Sequence, residues 1–482
     1  MKVTFINEPE LEFGTARHVD IRFGIMQHHP FDINEEQRPN TIRIGVVGTN
    51  QSIGGVMDWL ETLREEVGAY ESPKPNLYPK FPGFSEDSPF RSRLIIDSAL
   101  NSAVHHREIF PLKAEQNYNE RMKVAAELFA DRIASVAEKP VDLVICAMPP
   151  ELIDILADVD PGEEADEEPD TVEEAETKFA FHDLLKAKCM QFGKPIQVIR
   201  PSTYDESQKK REKDEHGRGR RLQDPATRAW NLMTAIYYKA GGIPWRKPRP
   251  ESEFDSCFIG VSFFHTLDRK SVQTSIAQVF NERGYGFMVR GAEVKVTKHD
   301  RQPRLNAEGM KALIDDALKR YRQDHQHLPA RVVIHKSSRF SLAEIEGAEA
   351  ALTDAKIEIQ DFLSLAQSFL RLYRQGYYPP LRGTVLEADD TQHFLYSRGS
   401  VNFYEEYPGM YVPRSLQVRY DRIASARRDL LRELLLLTKM NWNNTQLDSS
   451  SPITLRAARQ VGTILRYVNE GDPLQHPYKF YM

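Results

Sequence analysis

Two lysines, a histidine and a glutamine offer the most specific chemistry in this sequence of 482 residues. His182 and Lys186 stand four apart, so on a helix they share a face. Gln197 follows on an apolar stretch after Gly193, and Lys239 ends the next helical stretch, beyond Asn231. Lysine ammonium groups act as point charges, an amide donates hydrogen bonds, and a ring offers a face on which a base can stack. Such a set suits the terminal phosphate of a nucleic acid. In an open α/β sheet the expected place for it is beyond the carboxyl ends of the strands. By themselves, His182 and Lys186 would more simply make a solvated helix face.

Other motifs are weaker. Residues 48–55 (GTNQSIGG) follow an apolar run and open a helical pattern. Backbone amides there could hold a phosphate. The segment lacks both the GK[ST] ending of a P-loop and the GxGxxG spacing, and a tight structural turn explains it better. His28-His29 and His105-His106 are adjacent pairs whose side chains diverge, which suits surface histidines rather than metal ligands. Asp389-Asp390 reads as a turn between strands. Cys146, Cys189 and Cys257 lie too far apart for a disulfide framework or a CxxC knuckle, and they suit a reducing, cytoplasmic setting.

The elements that must position these groups fall into two series. Residues 40–250 alternate apolar strands (42–47, 141–147, 195–199) with helices (56–67, 116–138, 178–192, 225–239). A Pro-, Gly- and Ser-rich surface loop is expected over 68–92, and a charged insertion over 204–222. Pro225 at the start and Gly241-Gly242 at the end frame the last of these helices. The alternation predicts a mostly parallel sheet covered on both faces. A Pro- and charge-rich stretch at 244–253 separates a second series. Strands at 257–264, 271–280 and 285–296 predict an antiparallel meander. A helix (306–322), a strand (331–334), a helix (342–352) and a strand (357–362) follow. Further strands are expected at 384–386 and 392–397, and helices at 418–439 and 454–467. Three strands, then alternating helix and strand, is the ribonuclease-H-like order.

Composition narrows the function further. Mean hydropathy is -0.53 and no long charge-free apolar run is present, so no membrane span is expected. Residues 1–20 hold Glu8, Glu10, Glu12 and Asp20 and no apolar core, unlike a secretory leader. The net charge of -6 is unevenly spread: residues 1–240 carry 30 Lys/Arg against 42 Asp/Glu, and residues 241–482 carry 34 against 28. The stretch 151–176 alone has 13 acids and no Lys or Arg, as a solvated loop would. Any nucleic-acid site must therefore be a local basic channel rather than a property of the whole chain.

The order His182, Lys186, Gln197, Lys239 resembles the guide 5′-phosphate pocket of the MID domain of Argonaute proteins. That pattern is Tyr or His, three residues, Lys, then Gln, then Lys. The surroundings are similar too: GKPIQ at 193–197 and NLMTAIYYKAGG at 231–242. Here histidine stands where many members carry tyrosine, adding a pH-dependent charge to base stacking. The resemblance continues through residues 8–32, FPGF at 81–84, CFIGVSFF at 257–264 and RVVIHKSSRF at 331–340. It resumes at 383–420 and 438–461. It covers nearly the whole length and points to short prokaryotic Argonautes, with no region resembling the N-terminal or PAZ domains. It implies an α/β fold: an N-terminal linker segment over 1–39, a Rossmann-like MID domain over 40–250 with the 5′-phosphate pocket, and a ribonuclease-H-like PIWI domain over 251–482.

The departures matter as much. Slicing members hold two divalent metals with an Asp-Glu-Asp-Asp/His set that activates water. This chain has Ser262 at the first Asp position, Ser337 at the second and Ala458 at the last. The Glu has no assigned counterpart, although Glu308 is near. One stray carboxylate cannot hold two Mg2+ ions, so the resemblance implies a catalytically inactive PIWI domain rather than an enzyme. The aromatic tail YKFYM (478–482) is expected to dock, with the Met482 carboxylate joining the guide 5′ phosphate around a Mg2+ ion. The implied role is guide-directed recognition. A 5′-phosphorylated guide RNA would pair with a single-stranded DNA target. An APAZ-containing partner bearing a TIR, sirtuin-like or nuclease effector would then be activated, in defence against plasmids or phage. Two other readings stay open at this point. One is an active guide-directed endonuclease with non-standard metal ligands such as Asp255, Asp268 or Asp300. The other is an α/β metabolic enzyme that binds a small metabolite and no nucleic acid.

Overall fold

The fold is given by a computed structural model that describes residues 1–156, 179–205, 207, 222–249, 255–267, 271–279, 286–294, 302–375, 379–409, 412–447, 449–469, 472, 474 and 477–482. Most of the acidic stretch at 151–176, most of the insertion at 204–222, and both Asp268 and Asp300 lie outside the described residues.

Residues 1–39 contribute strands β1 (Lys2–Phe5), β2 (Leu11–Glu12) and β3 (Arg17–His18) and helix α1 (Ile21–His28). The first α/β series comprises β4 (Thr41–Gly48), α2 (Asn50–Thr62), β5 (Arg93–Ile96), β6 (Ser102–Ala103), α3 (His106–Ile109) and α4 (Tyr118–Ala137). It continues through β7 (Leu143–Ala147), α5 (Pro150–Ile155), α6 (Phe181–Cys189), β8 (Ile196–Ile199), α7 (Pro201–Tyr204) and α8 (Pro225–Lys239). Its sheet runs β5-β4-β7-β8 with every pairing parallel, and β6 also lies along β4. Helices cover both faces, which explains why Ile44–Gly48 of β4 and Leu143–Ala147 of β7 are apolar and buried without a break. Ile42, Ile44 and Ile145 share one core with Val56, Leu60 and Met233, while Val144 and Cys146 share the other with Phe129, Ile133 and Leu185.

Local chemistry sets the helix ends. Thr49 caps α2 by accepting from the Ser52 amide, so the helix begins at Asn50 and runs through Gly54 and Gly55, ahead of the expected start at 56. The 48–55 motif is thus a strand-to-helix turn. Asp224 caps α8 by accepting from the Thr227 amide, with Pro225 in the first turn. The expected surface loop at 68–92 is only partly one. Phe81, Phe84 and Phe90 are fully buried and pack with Trp230 and Tyr237 of α8. Turn-forming residues mark where the chain bends, and here the apolar burial of three rings overrides that cue.

The second series comprises β9 (Ser256–His265), β10 (Val272–Val279), β11 (Phe287–Val294), α9 (Ala307–His325), β12 (Arg331–Lys336), α10 (Leu342–Asp354) and β13 (Ile359–Gln367). Then come β14 (Thr384–Glu387), β15 (Gln392–Leu395), β16 (Leu416–Arg422), α11 (Arg427–Leu437) and α12 (Ile453–Leu465). The sheet order is β1-β14-β15-β16-β13-β12-β9-β10-β11. β9 to β11 form the antiparallel meander, and β12 lies parallel to both β9 and β13. The helix expected over 418–439 divides: Leu416–Arg422 is a strand, and α11 starts only at Arg427. Burial alternates along Leu416–Arg422 because β13 and β15 flank it, and that pairing replaces the helical pattern.

Residues 1–39 are fastened to both series. β1 pairs antiparallel with β14 at one edge of the larger sheet. Glu8 is half-buried between Arg382 (2.8 Å) and Lys439 (3.2 Å), and Glu12 meets Arg246 at 3.1 Å. Among the described residues no helix is long and apolar enough to cross a membrane.

Candidate functional site

Lys186 and Lys239 converge from two helices. The buried side of α6 places Leu184, Leu185 and Cys189 against the sheet and carries Lys186 with them, 2% exposed. Its Nζ donates to the Tyr481 carbonyl at 3.2 Å. Lys239 is the last residue of α8 and is 1% exposed. Its Nζ donates to the Ile196 carbonyl and to a main-chain oxygen of Met482, both at 3.0 Å, and to Gln197 Oε1 at 2.5 Å. An ammonium has three donors, and a cation at a helix C-terminus is also favoured by the helix dipole. Tyr478, Phe480, Tyr481 and Met482 are buried, so the aromatic tail is docked, with main-chain oxygens of Tyr481 and Met482 on the two lysines.

The place of this cradle differs from the expected one. β8 is an edge strand, and Lys239 meets its first two residues rather than the region beyond its carboxyl end. The reason is helix direction. A helix that returns from the carboxyl end of a parallel sheet finishes at the amino end, so the last residue of α8 reaches the start of β8. His182 stands one turn before Lys186 but hydrogen-bonds Asp183 (Nδ1 to Oδ1, 3.0 Å) rather than any of the other three. Burial works against the Asp183 carboxylate, yet His182, Lys186 and Thr463 together hold its pKa below the ordinary value. Asp183 was missed from the sequence, as was Lys479, whose pKa is lowered by burial and by nearby Lys194. Neither residue carries a local pattern that would have marked it.

Helix α6 also touches α12. Gln460 Nε2 donates to Asp183 Oδ1 at 3.5 Å, and the Ala180 amide donates to the Tyr467 hydroxyl at 2.9 Å. The Phe179 and Tyr467 rings meet edge to face at 5.3 Å. Helix α12 then lies along β9. A Cβ on Gly260 would fall 2.2 Å from the Thr454 carbonyl oxygen, and one on Gly462 would meet Phe264 at 3.1 Å. Ala458 sits midway between Thr454 and Gly462 and is thereby held over Ser262, midway between Gly260 and Phe264. The Ser337 amide donates to the Val261 carbonyl at 3.1 Å. Ser262, Ser337 and Ala458, far apart in sequence, therefore share one place.

The ionisable groups nearest to it in sequence, and Asp255 among the carboxylates considered as ligands, are committed elsewhere. Lys336, fully buried, pairs with Glu344 at 3.2 Å on the other face of β12 and donates to Ser338 Oγ and the Arg339 carbonyl. His335 hydrogen-bonds Thr454 at 2.9 Å, and burial pushes its pKa down to about 3, so the imidazole is neutral. Asp255 lies before the start of β9, the far end from Ser262, ion-paired with Arg249 and 3.9 Å from His327. Glu308 is exposed in the first turn of α9. Among the described residues no group of three or more His, Cys, Asp or Glu comes together to hold a metal.

No protein-family model and no curated protein matches the sequence. Among solved structures, the chain is similar to Clostridium butyricum Argonaute bound to a guide DNA and a 19-mer target DNA, with a TM-score of 0.63 and 14% identity. That match covers 98% of this chain and 53% of the other. Drosophila Piwi, and Aa-Ago with externally bound siRNA, each match at a TM-score of 0.58 and 13% identity, covering 100% of this chain and 56% of theirs. The fold is Argonaute-like, a Rossmann-like α/β series followed by a ribonuclease-H-like one. The chain spans a little over half the length of the solved structures it matches.

Proposed function

We propose that this chain is the guide-directed recognition subunit of a short prokaryotic Argonaute system. The observation that carries the reading is the pair of buried ammonium groups, Lys186 and Lys239, on the neighbouring oxygens of Tyr481 and Met482, with Gln197 of β8 also on Lys239. Buried lysines aimed at a common point are costly unless an anion or a set of carbonyls compensates them. A guide 5′ phosphate would take the place now held by the main-chain oxygens of Tyr481 and Met482. His182 and the first base complete the pocket. The residues 1–39, 40–250 and 251–482 then act as linker, MID and PIWI parts. Specificity lies in pairing between a guide RNA and a single-stranded DNA target, while the protein reads the backbone and the 5′ end.

In this reading the chain does not cut. Ser262, Ser337 and Ala458 meet where metal-binding carboxylates would be needed, and none of the three can ligate as a carboxylate does. Output then belongs to an APAZ-containing partner with a TIR, sirtuin-like or nuclease effector, which target binding would activate against plasmids or phage. A Mg2+ at the guide 5′ phosphate fits only as a phosphate-borne ion. The chain's own oxygens there, those of Ile196, Gln197, Tyr481 and Met482, already accept from the two lysines, and Mg2+ commonly takes most of its ligands from phosphate and water. Bound there, it would neutralise phosphate charge.

The test uses the purified chain with guides of one sequence bearing a 5′ phosphate or a 5′ hydroxyl. Tighter binding of the phosphorylated guide, and a matched target left intact in Mg2+ or Mn2+, are the expected results. Metal-dependent cutting would instead favour the endonuclease reading. Binding of neither guide would end the proposal.

A further inference from the structure

The end of the larger sheet that carries Ser262 and Ser337 also presents two large exposed rings, Phe369 (76% exposed) and Tyr373 (71%). They follow directly after β13, which is parallel to β9 and β12, with Ser364 level with Lys336. The segment is fastened. The Ser368 amide donates to the Ser415 carbonyl at 2.9 Å, and the Leu372 amide donates to the Tyr396 hydroxyl. The Arg414 guanidinium lies 5.2 Å from the centre of the Phe369 ring. Arg371 turns back on its own loop, 3.4 Å from the Ser368 and Leu370 carbonyls. Residues 362–386 and 407–420 contain no Asp or Glu. Packing does not require aromatic rings at such exposure. Their backbone is nevertheless held in place, beside guanidinium groups and within acid-free stretches.

We propose that Phe369, Tyr373, Arg371 and Arg414 form a platform on which unpaired bases of a single nucleic-acid strand stack as it leaves the paired region. The identity of that strand as target rests on the guide-directed reading above. Every base offers a π-face to an aromatic ring, and guanidinium groups take phosphates and stack as well. The absence of Asp and Glu from these two stretches favours a polyanion over a protein surface of mixed charge.

The experiment compares the parent chain with Phe369→Ala/Tyr373→Ala. Probes are a guide-paired target ending flush with the guide, the same target with an unpaired extension, and an oligothymidine lacking a 5′ phosphate, added without guide. The double variant should bind the extended target and the oligothymidine about tenfold more weakly. Binding of the flush target and of the phosphorylated guide should be unchanged, which also shows that the variant folds. Phe369→Trp should retain binding, and Arg414→Ala should lower the salt slope by about one. Equal losses on flush and extended targets, or no loss, would overturn the platform. Loss of a protein partner with strand binding intact would assign the face to that partner and overturn it as well. If the parent binds no guide yet its oligothymidine binding depends on Phe369, the guide reading falls and the platform stands.

Discussion

Removing the charge of Lys239 or Lys186 probes the cradle most directly. Lys239 is 1% exposed and its ammonium holds three oxygens, those of Ile196, Gln197 and Met482. A hydrogen bond to a charged group is worth about 1.5–3 kcal/mol. Since about 1.4 kcal/mol is a factor of ten, each lysine should account for roughly 10- to 150-fold of the affinity for a phosphorylated guide. If the two share one anion, as proposed, the double variant should lose less than the product of the single losses. Truncation has a second effect, because buried carbonyls left without a donor cost about 1–3 kcal/mol each in stability. Lys239→Gln limits that effect, since its amide can still donate to one of the three oxygens. The 5′-hydroxyl guide removes it from the comparison, because a loosened fold weakens both guides alike. The assay is fluorescence anisotropy of both guides at one salt concentration, on the parent, Lys186→Ala, Lys239→Gln and the double variant. The preference for phosphate should shrink stepwise and nearly vanish in the double variant. Equal losses for the two guides would show that these lysines support the docked tail and nothing else.

Other expectations follow from buried charge. Asp32 is 2% exposed, and burial pushes its pKa up to about 6, although Tyr237 and the Ile243 amide hydrogen-bond it. A folded pKa above the unfolded one gives stability that is complete below about pH 4 and lost as pH rises through about 6, worth about 3 kcal/mol over that window. Asp32→Asn should therefore flatten the rise in thermal midpoint on acidification, and an unchanged pH profile would count against it. The Lys336–Glu344 pair is fully buried, so Lys336→Ala should cost about 3–5 kcal/mol in denaturant unfolding, while Lys336→Met with Glu344→Gln should recover most of it. Restoring carboxylates with Ser262→Asp, Ser337→Asp and Ala458→Asp should create a Mn2+-dependent thermal shift of about 2–3 kcal/mol at saturating metal. The parent should show none, and an equal shift in the parent would refute the lost-ligand argument.

Much of the architecture was legible in the residues because it follows from local rules. Strand β7 is apolar throughout and β4 is so from Ile44 onward since both faces are covered there, and α8 is framed by Asp224, Pro225 and Gly241. The spacing of His182 and Lys186 placed them a turn apart on one helix, as they are. What failed was whatever depended on distant partners. Leu416–Arg422 is a strand because β13 and β15 flank it, and Lys2–Phe5 is a strand because Thr384–Glu387 lies beside it. The rings of 81–90 are buried because α8 supplies Trp230 and Tyr237. Residue types and their order along the chain suffice to say that two lysines and an amide are available. Only the tertiary structure puts Lys239 at the amino end of β8, seats Tyr481 and Met482 on the two lysines, and sets Ala458 over Ser262. Those arrangements are settled by helix direction, edge position and close backbone approach, which no short stretch of sequence encodes.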